Sequence, residues 1–177
     1  SPVRDDIDTG GAVQWLAIRP GTDAALLLAV AHTLLTENLH ERDFLASHCV
    51  GFERVAAYLR GDSDGQPKTA EWAAAITDIP AARITQLARE MAGARTMINM
   101  AWSLQRAHRG EQPYWALVTV ASMLGQIGLP GGGFGFGYGS MHGQGNPVTV
   151  FSAPALSAGP NPTGSFIPVA RISDLLL

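Results

Sequence analysis

The stretch that most constrains this fold is residues 24–35, which is apolar on nearly every side when it is drawn as a helix. A surface helix needs only one apolar stripe, whereas a helix that is apolar all round must be packed on more than one side. A helix that covers a β-sheet meets this condition. Thr22 or Asp23 can cap its amino terminus, because their side-chain oxygens accept hydrogen bonds from the first free N–H groups.

The rest of the chain alternates strand candidates with helices. Residues 14–18 and 96–102 are predicted strands, and the first ends in an Arg-Pro-Gly turn. The longest predicted helix covers residues 111–129. Turn residues, caps and periodicity predict the other elements: two short helices over 41–60 that break near Gly51, a loop at 61–67, a helix at 69–76 capped by Thr69, a helix from about Pro80 to Gly93, irregular structure over the glycine-rich tract 131–145 and on to 164, and a last helix from near Val169.

This order of elements predicts an α/β fold, a Rossmann-like parallel sheet flanked by helices with helical insertions. Ligands of such folds bind at the carboxyl ends of the strands. The chain opens abruptly and stops within an apolar helical run, so we expect the domain to be incomplete at both ends. We assign residues 1–145 to this α/β domain and residues 146–177 to a Pro/Gly-rich connection and the start of the next segment.

Charge and cysteine content exclude several classes of protein. The 12 basic and 15 acidic residues are interspersed, so nucleic acid and membrane surfaces are not expected partners. Cys49 is the single cysteine, which excludes an internal disulfide and a thiolate-rich metal site. The apolar runs are shorter than the ~20 residues of a membrane-spanning helix. We assign no metal ligand and no catalytic acid or base within this chain.

Two glycine-containing motifs are candidates for ligand binding. The tract at residues 131–139 suggests a phosphate loop, because glycines let backbone N–H groups approach an anion. It lacks the Lys-Ser/Thr ending of a Walker A loop, and the alternative is a flexible surface crossing. The turn at residues 19–23 places the Asp23 carboxylate beside a helix amino terminus, where it can accept two hydrogen bonds from guanine. The alternative is that Asp23 caps the helix.

A third candidate follows the second predicted strand. Trp102, Gln105 and Arg106 bring together an aromatic plane, an amide and a guanidinium. Such a group suits a planar ligand rich in hydrogen-bonding atoms, such as a pterin, or an oxyanion. The alternative is a tryptophan half in the core beside a solvated loop.

Many short strings of the chain, in order, resemble one enzyme family. They are Pro-Gly-Thr-Asp-Ala-Ala-Leu at 20–26, Ala-His-Thr-Leu at 31–34, Asp-Phe-Leu at 43–45, Ala-Glu-Trp-Ala at 70–73, Trp102 with Gln105 and Arg106, Gly-Glu-Gln at 110–112, Gly-Gln-Ile-Gly-Leu-Pro-Gly-Gly-Gly-Phe-Gly at 125–135 and Phe-Ile-Pro-Val-Ala-Arg-Ile at 166–172. The chain is thereby identified as an internal piece of a molybdopterin oxidoreductase of the dimethyl sulfoxide, trimethylamine N-oxide and biotin sulfoxide reductase family. The last string is most similar to the biotin sulfoxide reductases.

The resemblance implies a cofactor and its contacts. Two molybdopterin guanine dinucleotides hold one molybdenum in the parent enzyme, and this segment binds one of them. Pro2 and Arg4 then lie near the guanosine, and Gly21 and Asp23 recognise the guanine. Trp102, Gln105 and Arg106 lie toward the pterin and the substrate funnel. Ser1 stands where relatives carry an acidic residue for the ribose, so this chain departs from the family pattern at that contact.

The resemblance also implies what this chain lacks. The serine that ligates molybdenum lies upstream, and the binding segment for the second dinucleotide lies downstream, so we expect the isolated chain to be inactive. The implied partners are the remaining domains of the parent enzyme and an S-oxide or N-oxide substrate, and the electron donor stays open. We expect a cytoplasmic location, with the periplasm as the alternative. The rival interpretations are a free-standing nucleotide-binding or regulatory module and a dehydrogenase, although a dehydrogenase would need the missing glycine fingerprint.

Overall fold

A computed structural model describes residues 12–136 and five isolated positions beyond them, 157, 159, 160, 162 and 164. All the elements described below lie in the first of the two compact units into which the chain divides, Ser1–Gly143. The proposed contacts of Pro2 and Arg4 fall outside the described residues. So do the predicted boundary after residue 145 and the predicted helix near Val169.

Six α-helices, two β-strands and one 3₁₀ helix make up residues 12–136. In chain order they are α1 (Asp23–Thr36), α2 (Arg42–His48), α3 (Phe52–Arg60), α4 (Ala70–Thr77), α5 (Ala81–Gly93), β1 (Met97–Met100), the 3₁₀ helix (Trp102–Arg106), α6 (Gln112–Met123) and β2 (Gly133–Phe136). None of these helices is long and apolar enough to cross a membrane.

Helix α1 is the centre of the packing, and it contacts α3, α4, α5 and α6. Ala29, Val30 and Leu34 are fully buried in it. This confirms the prediction from its apolar sequence, because a helix with neighbours on several sides has little surface on which polar residues are needed.

Local signals set the ends of several helices as predicted. Gly51 separates α2 from α3 and has a φ of 85°, a left-handed conformation that glycine adopts without steric cost. The Thr69 hydroxyl accepts a hydrogen bond from the Trp72 N–H at 3.2 Å, so Thr69 caps α4. Pro80 directly precedes α5.

The two strands form a parallel pair, in which Met97 is the partner of Gly133 and Met100 is the partner of Phe136. The 3₁₀ helix and α6 connect them, which gives the strand–helix–strand unit that a parallel pair requires. The α/β fold class is thereby confirmed. The Rossmann-like arrangement of a larger sheet stays a prediction.

Three predictions about the elements were wrong. Residues 14–18 form no strand in the described structure. Ile18 donates its N–H to the Leu16 carbonyl at 2.9 Å, so a local turn bond takes the place of a ladder bond. Residues 133–136 were predicted to be irregular, yet they form β2. The pairing with β1 overrides the poor strand propensity of glycine.

Helix α6 ends at Met123, six residues before the predicted end at 129. Gly125 follows with a φ of 64°, and a Cβ at this position would lie 2.5 Å from Glu41 Cγ. The Glu41 N–H donates to the Met123 carbonyl at 2.7 Å. The left-handed Gly125 after the C-cap Leu124 is a local stop signal that the prediction did not use, and the Glu41 contact joins this helix end to the start of α2.

Candidate functional site

The carboxyl end of β1 leads directly into the 3₁₀ helix. Ala101 makes the turn with extended backbone angles, and Trp102, Gln105 and Arg106 follow on the 3₁₀ helix. The sequence predicted this placement, because a loop after a parallel strand presents its side chains to the crevice where ligands bind.

A pocket of about 340 Å³ lies beside this strand end. Its lining is mainly apolar, and Gln105 contributes the amide. The lining residues are Trp102, Gln105, Tyr114, Leu117, Val118 and Phe134. Ligand sites commonly combine such an apolar lining with a few polar groups that orient the ligand.

Trp102 and Arg106 differ in their relation to this pocket. The Trp102 side chain lines it and is 41% exposed. Arg106 is exposed on the same 3₁₀ helix and is not among the lining residues. The 3₁₀ helix has no buried residue, and a tryptophan that is 41% exposed fits both the ligand-binding interpretation and the alternative of a tryptophan half in the core beside a solvated loop.

Tyr114 in α6 and Gly110 just before α6 both contact the 3₁₀ helix segment and fix its position. The Tyr114 hydroxyl donates to the Ala101 carbonyl at 2.8 Å. Gly110 is buried against the helix, and a Cβ on it would lie 2.5 Å from the Gln105 carbonyl oxygen and 2.6 Å from the Leu104 carbonyl oxygen. The turn after the 3₁₀ helix therefore fits only because residue 110 has no side chain.

We expect Gly110→Ala to destabilise the chain by about 1–2 kcal/mol, because overpacking against backbone atoms forces a shift of the 3₁₀ helix. Gly93→Ala is the matched control, since a Cβ there meets nothing within 4 Å. Gly93 is the last residue of α5, where alanine is at least as favourable as glycine, so we expect no loss of stability from this change. Urea unfolding followed by tryptophan fluorescence measures both, and equal effects of the two variants would contradict the close fit at residue 110.

Residues 19–23 form a second, separate candidate. Gly21 has a φ of 77°, and the space around it is open, since a Cβ would meet nothing within 4 Å. Arg19 anchors the turn: its guanidinium donates two hydrogen bonds to the Asp78 carboxylate, at 2.7 and 2.9 Å. The Thr22 hydroxyl donates to the Arg19 carbonyl at 2.6 Å. The turn is thus fixed on one side and open on the other.

Asp23 is the first residue of α1 and is half-buried. Thr22 occupies the N-cap position, and no side-chain hydrogen bond caps this helix. The capping alternative for Asp23 therefore has no hydrogen bond to support it among the described residues. A carboxylate in the first turn still interacts favourably with the helix dipole.

A group of charged and titratable side chains follows the 3₁₀ helix. His108, Arg109 and Glu111 are all exposed. Hydrogen bonds from its own backbone N–H and from the Gln112 amide lower the pKa of Glu111, and the nearby charges of Arg109 and His108 add to this. Glu111 is therefore ionised at neutral pH.

The glycine tract has a packing role where the structure describes it. A Cβ on Gly132 would lie 2.7 Å from the Gln126 carbonyl oxygen, and one on Gly133 would lie 3.2 Å from Ile127 Cα. These glycines allow β2 to pass close to the turn after α6. Neither the phosphate loop nor the flexible crossing describes residues 133–136, and residues 137–145 lie outside the described structure.

The structure thus brings some predicted site residues together and leaves others apart. Trp102 and Gln105 share one pocket, whereas Gly21 and Asp23 lie at the amino end of α1 and do not line it. Sequence reasoning missed Tyr114, although its place in the first turn after the polar loop is a usable signal. Within the described residues, no three His, Cys, Asp or Glu side chains lie close enough to hold a metal ion.

Comparisons with known proteins connect this geometry to an enzyme family. The biotin sulfoxide reductase of Cereibacter sphaeroides is 51% identical over the whole chain, which covers 24% of that protein. Trimethylamine-N-oxide reductase 1 of Escherichia coli K12 is 48% identical, over 93% of the chain and 21% of the relative. The chain therefore spans less than a quarter of the length of these relatives.

A solved structure and a family model agree with these relatives. Acetylene hydratase from Pelobacter acetylenicus matches with a TM-score of 0.58 and 26% identity, over 64% of this chain and 15% of that one. The family model described as molybdopterin oxidoreductase matches residues 2–171. Because this match includes nearly every residue, the chain belongs to the molybdopterin oxidoreductase family.

Proposed function

We propose that this chain is one segment of a larger molybdenum enzyme that reduces S-oxides or N-oxides by oxygen-atom transfer, and that it binds one of two molybdopterin guanine dinucleotides. The observation that carries the proposal is the pocket at the carboxyl end of β1, lined by Trp102 and Gln105, in a chain of this family. The names of the relatives support the substrate class.

The residues of the pocket suit a pterin. The partly exposed Trp102 indole offers a flat surface on which a bicyclic ring can stack. The Gln105 amide can donate and accept hydrogen bonds at the edge of such a ring. The Tyr114 contact to Ala101 holds the residue that leads into the 3₁₀ helix, which carries both side chains.

The turn at residues 19–23 suits the guanine end of the same cofactor. The open space around Gly21 lets a base approach the backbone. The half-buried Asp23 carboxylate can accept two parallel hydrogen bonds from the guanine N1 and N2 donors.

The bound cofactor supplies the redox chemistry, and the protein supplies binding, orientation and electrostatics. On this proposal Arg106 donates charge-assisted hydrogen bonds to an oxyanion or to the polarised oxygen of the substrate. Its planar guanidinium fixes the direction of two donors, which a lysine ammonium does not reproduce. A regulatory nucleotide-binding module is the alternative function, and it predicts no molybdenum in the full-length protein.

Arg106→Lys in the full-length enzyme tests the site. We expect kcat/KM for an S-oxide or N-oxide to fall by about tenfold, or about 1.4 kcal/mol of transition-state stabilisation, with unchanged molybdenum content. Arg89→Lys is the control, since Arg89 is an exposed arginine on α5 that pairs with Glu37 at 2.7 Å. Steady-state kinetics and metal analysis measure both variants. Unchanged kinetics in metal-replete Arg106→Lys would refute the role of Arg106.

A further inference from the structure

The turn before α1 is bound to the carboxyl end of α4 by three hydrogen bonds from Arg19. Its backbone N–H donates to the Thr77 carbonyl at 2.9 Å. Its guanidinium donates from Nε and Nη2 to the two carboxylate oxygens of Asp78, at 2.9 and 2.7 Å. Thr77 is fully buried, so the end of α4 is a fixed point that sets the position of residue 19.

Two features indicate that the ion pair between Arg19 and Asp78 contributes little to stability. The two side chains are 52% and 57% exposed, and ion pairs between exposed side chains are weak because water competes for both charges. Asp78 also has a φ of 64°, a left-handed conformation that glycine adopts at lower cost. The carboxylate therefore acts mainly through the direction that it gives to the Arg19 side chain.

Thr22 connects Arg19 to Asp23. The Arg19 carbonyl accepts a hydrogen bond from the Thr22 hydroxyl at 2.6 Å, and the Thr22 carbonyl accepts one from the Ala25 N–H at 3.0 Å. Asp23 directly follows Thr22 and is the first residue of α1. Gly21, within the turn, has open space around it. A shift of Arg19 is therefore expected to move the Asp23 carboxylate relative to this open side of the turn.

We propose that Arg19 and Asp78 are positioning residues of the guanine site. They hold the turn at residues 19–23 in the conformation in which the Asp23 carboxylate accepts two parallel hydrogen bonds from the base. The inference rests on the proposed function, in which Asp23 recognises guanine. The two side chains act on the base only through the turn, because they are bonded to each other. Hydrogen bonds weaken steeply when they are misaligned, so a small rotation of the turn is enough to weaken recognition.

Asp78→Gly in the full-length enzyme tests the inference, because glycine keeps the left-handed turn and removes only the carboxylate. We expect guanine nucleotide to be released about three to ten times faster than from the unmodified enzyme, the change expected when one hydrogen bond is weakened. Arg19→Gln should have the same effect, and the double variant no larger one, since the two side chains act as one unit. Gel filtration at timed intervals measures the nucleotide that remains bound.

Arg89→Gln is the matched control. Arg89 and Glu37 form an exposed pair with the same two-bond geometry, in which both bonds are 2.7 Å long, and Glu37 follows the opposite end of α1. We expect Arg89→Gln to release nucleotide at the unmodified rate and to melt within a few degrees of Asp78→Gly, since each variant loses one exposed ion pair. Equal release rates in these two variants would overturn the inference, because the loss of any such ion pair would then have the same effect.

Asp23→Ala, measured in the same way, separates this inference from the proposed function. If Asp23→Ala releases nucleotide faster but Asp78→Gly does not, guanine recognition by Asp23 stands and the positioning role is wrong. The positioning role is also wrong if Arg19→Gln alone releases it faster, because the guanidinium then acts on the cofactor directly. If Asp23→Ala has no effect, the guanine site itself is wrong and so is this inference. Should Arg19→Gln fail to fold, Asp78→Gly decides.

Discussion

Replacing Lys68 by alanine is expected to lower the free energy of unfolding by about 2–5 kcal/mol, the largest stability effect we expect in this chain. The Lys68 side chain is only 2% exposed. Its Nζ donates to Asp64 Oδ2 at 2.6 Å and also to the Gln66 carbonyl. The same atom lies 4.1 Å from the centre of the Tyr58 ring, in a cation–π contact. Alanine removes these contacts and leaves a cavity between α3 and α4.

Lys68→Met separates the charge from the packing, because methionine keeps most of the volume without the ammonium. We expect it to cost less than the alanine change. Arg60→Ala is the surface control: Arg60 and Asp62 form an ion pair whose side chains are 48% and 54% exposed, and such pairs contribute at most about 1 kcal/mol. Urea unfolding measures all three variants. The prediction is wrong if Lys68→Ala costs no more than Arg60→Ala.

The ion pair between Lys68 and Asp64 makes a contribution to stability that depends on pH. The hydrogen bond from Lys68 lowers the pKa of Asp64 below its ordinary value of 3.8, and a backbone hydrogen bond from Gln66 adds to this. A carboxyl whose pKa is lower in the folded state binds more protons when unfolded, so its contribution to stability is present above pH 3.8 and is lost as the pH falls through the lower folded value. Lys68→Met weakens this acid sensitivity.

Much of the helical structure could be predicted, because the signals for it are local. The apolar sequence of α1 indicated a helix with several neighbours, and Gly51 and Thr69 marked helix ends through a left-handed turn and a capping oxygen. Strand β2 could not be predicted in this way. Its glycines have little strand propensity, and its pairing with β1 joins residues more than thirty positions apart. Such pairing depends on the tertiary fold and not on the local sequence.

The candidate site could also be predicted only where its signals are local. A polar segment after a predicted strand was enough to select Trp102 and Gln105, because the carboxyl end of a parallel strand is where ligands bind. The opposite wall of the pocket comes from Tyr114 and Leu117 of α6 and from Phe134 of β2. These residues are distant from the 3₁₀ helix in sequence or separated from it by a turn, and the tertiary fold brings them to it. Strand β2, which carries Phe134, was not predicted.

The Asp23 carboxylate is the group on which we expect cofactor retention to depend most. It lies at the first position of α1, next to an open turn, and makes no side-chain cap. Asp23→Ala in the full-length enzyme removes a charged acceptor from the guanine donors, at a cost of about 1.5–3 kcal/mol. We expect cofactor affinity to fall by roughly ten- to a hundredfold. Asp23→Asn should lose much of the same affinity, because one acceptor and the charge are removed.

A matched control separates this role from a purely helical one. Asp43 is an acidic residue in the first turn of α2, so Asp43→Ala removes the same kind of interaction with a helix dipole. If the Asp23 carboxylate only stabilises α1, the free energy of unfolding falls by a similar amount in both variants, up to about 1 kcal/mol, and both variants keep the cofactor. If Asp23 binds guanine, only its variants lose the cofactor. Two measurements distinguish these outcomes: the guanine nucleotide content after gel filtration and the melting temperature. A loss of cofactor in the Asp23 variants alone indicates that Asp23 recognises the base, because a change in helix stability would affect the Asp43 variant equally.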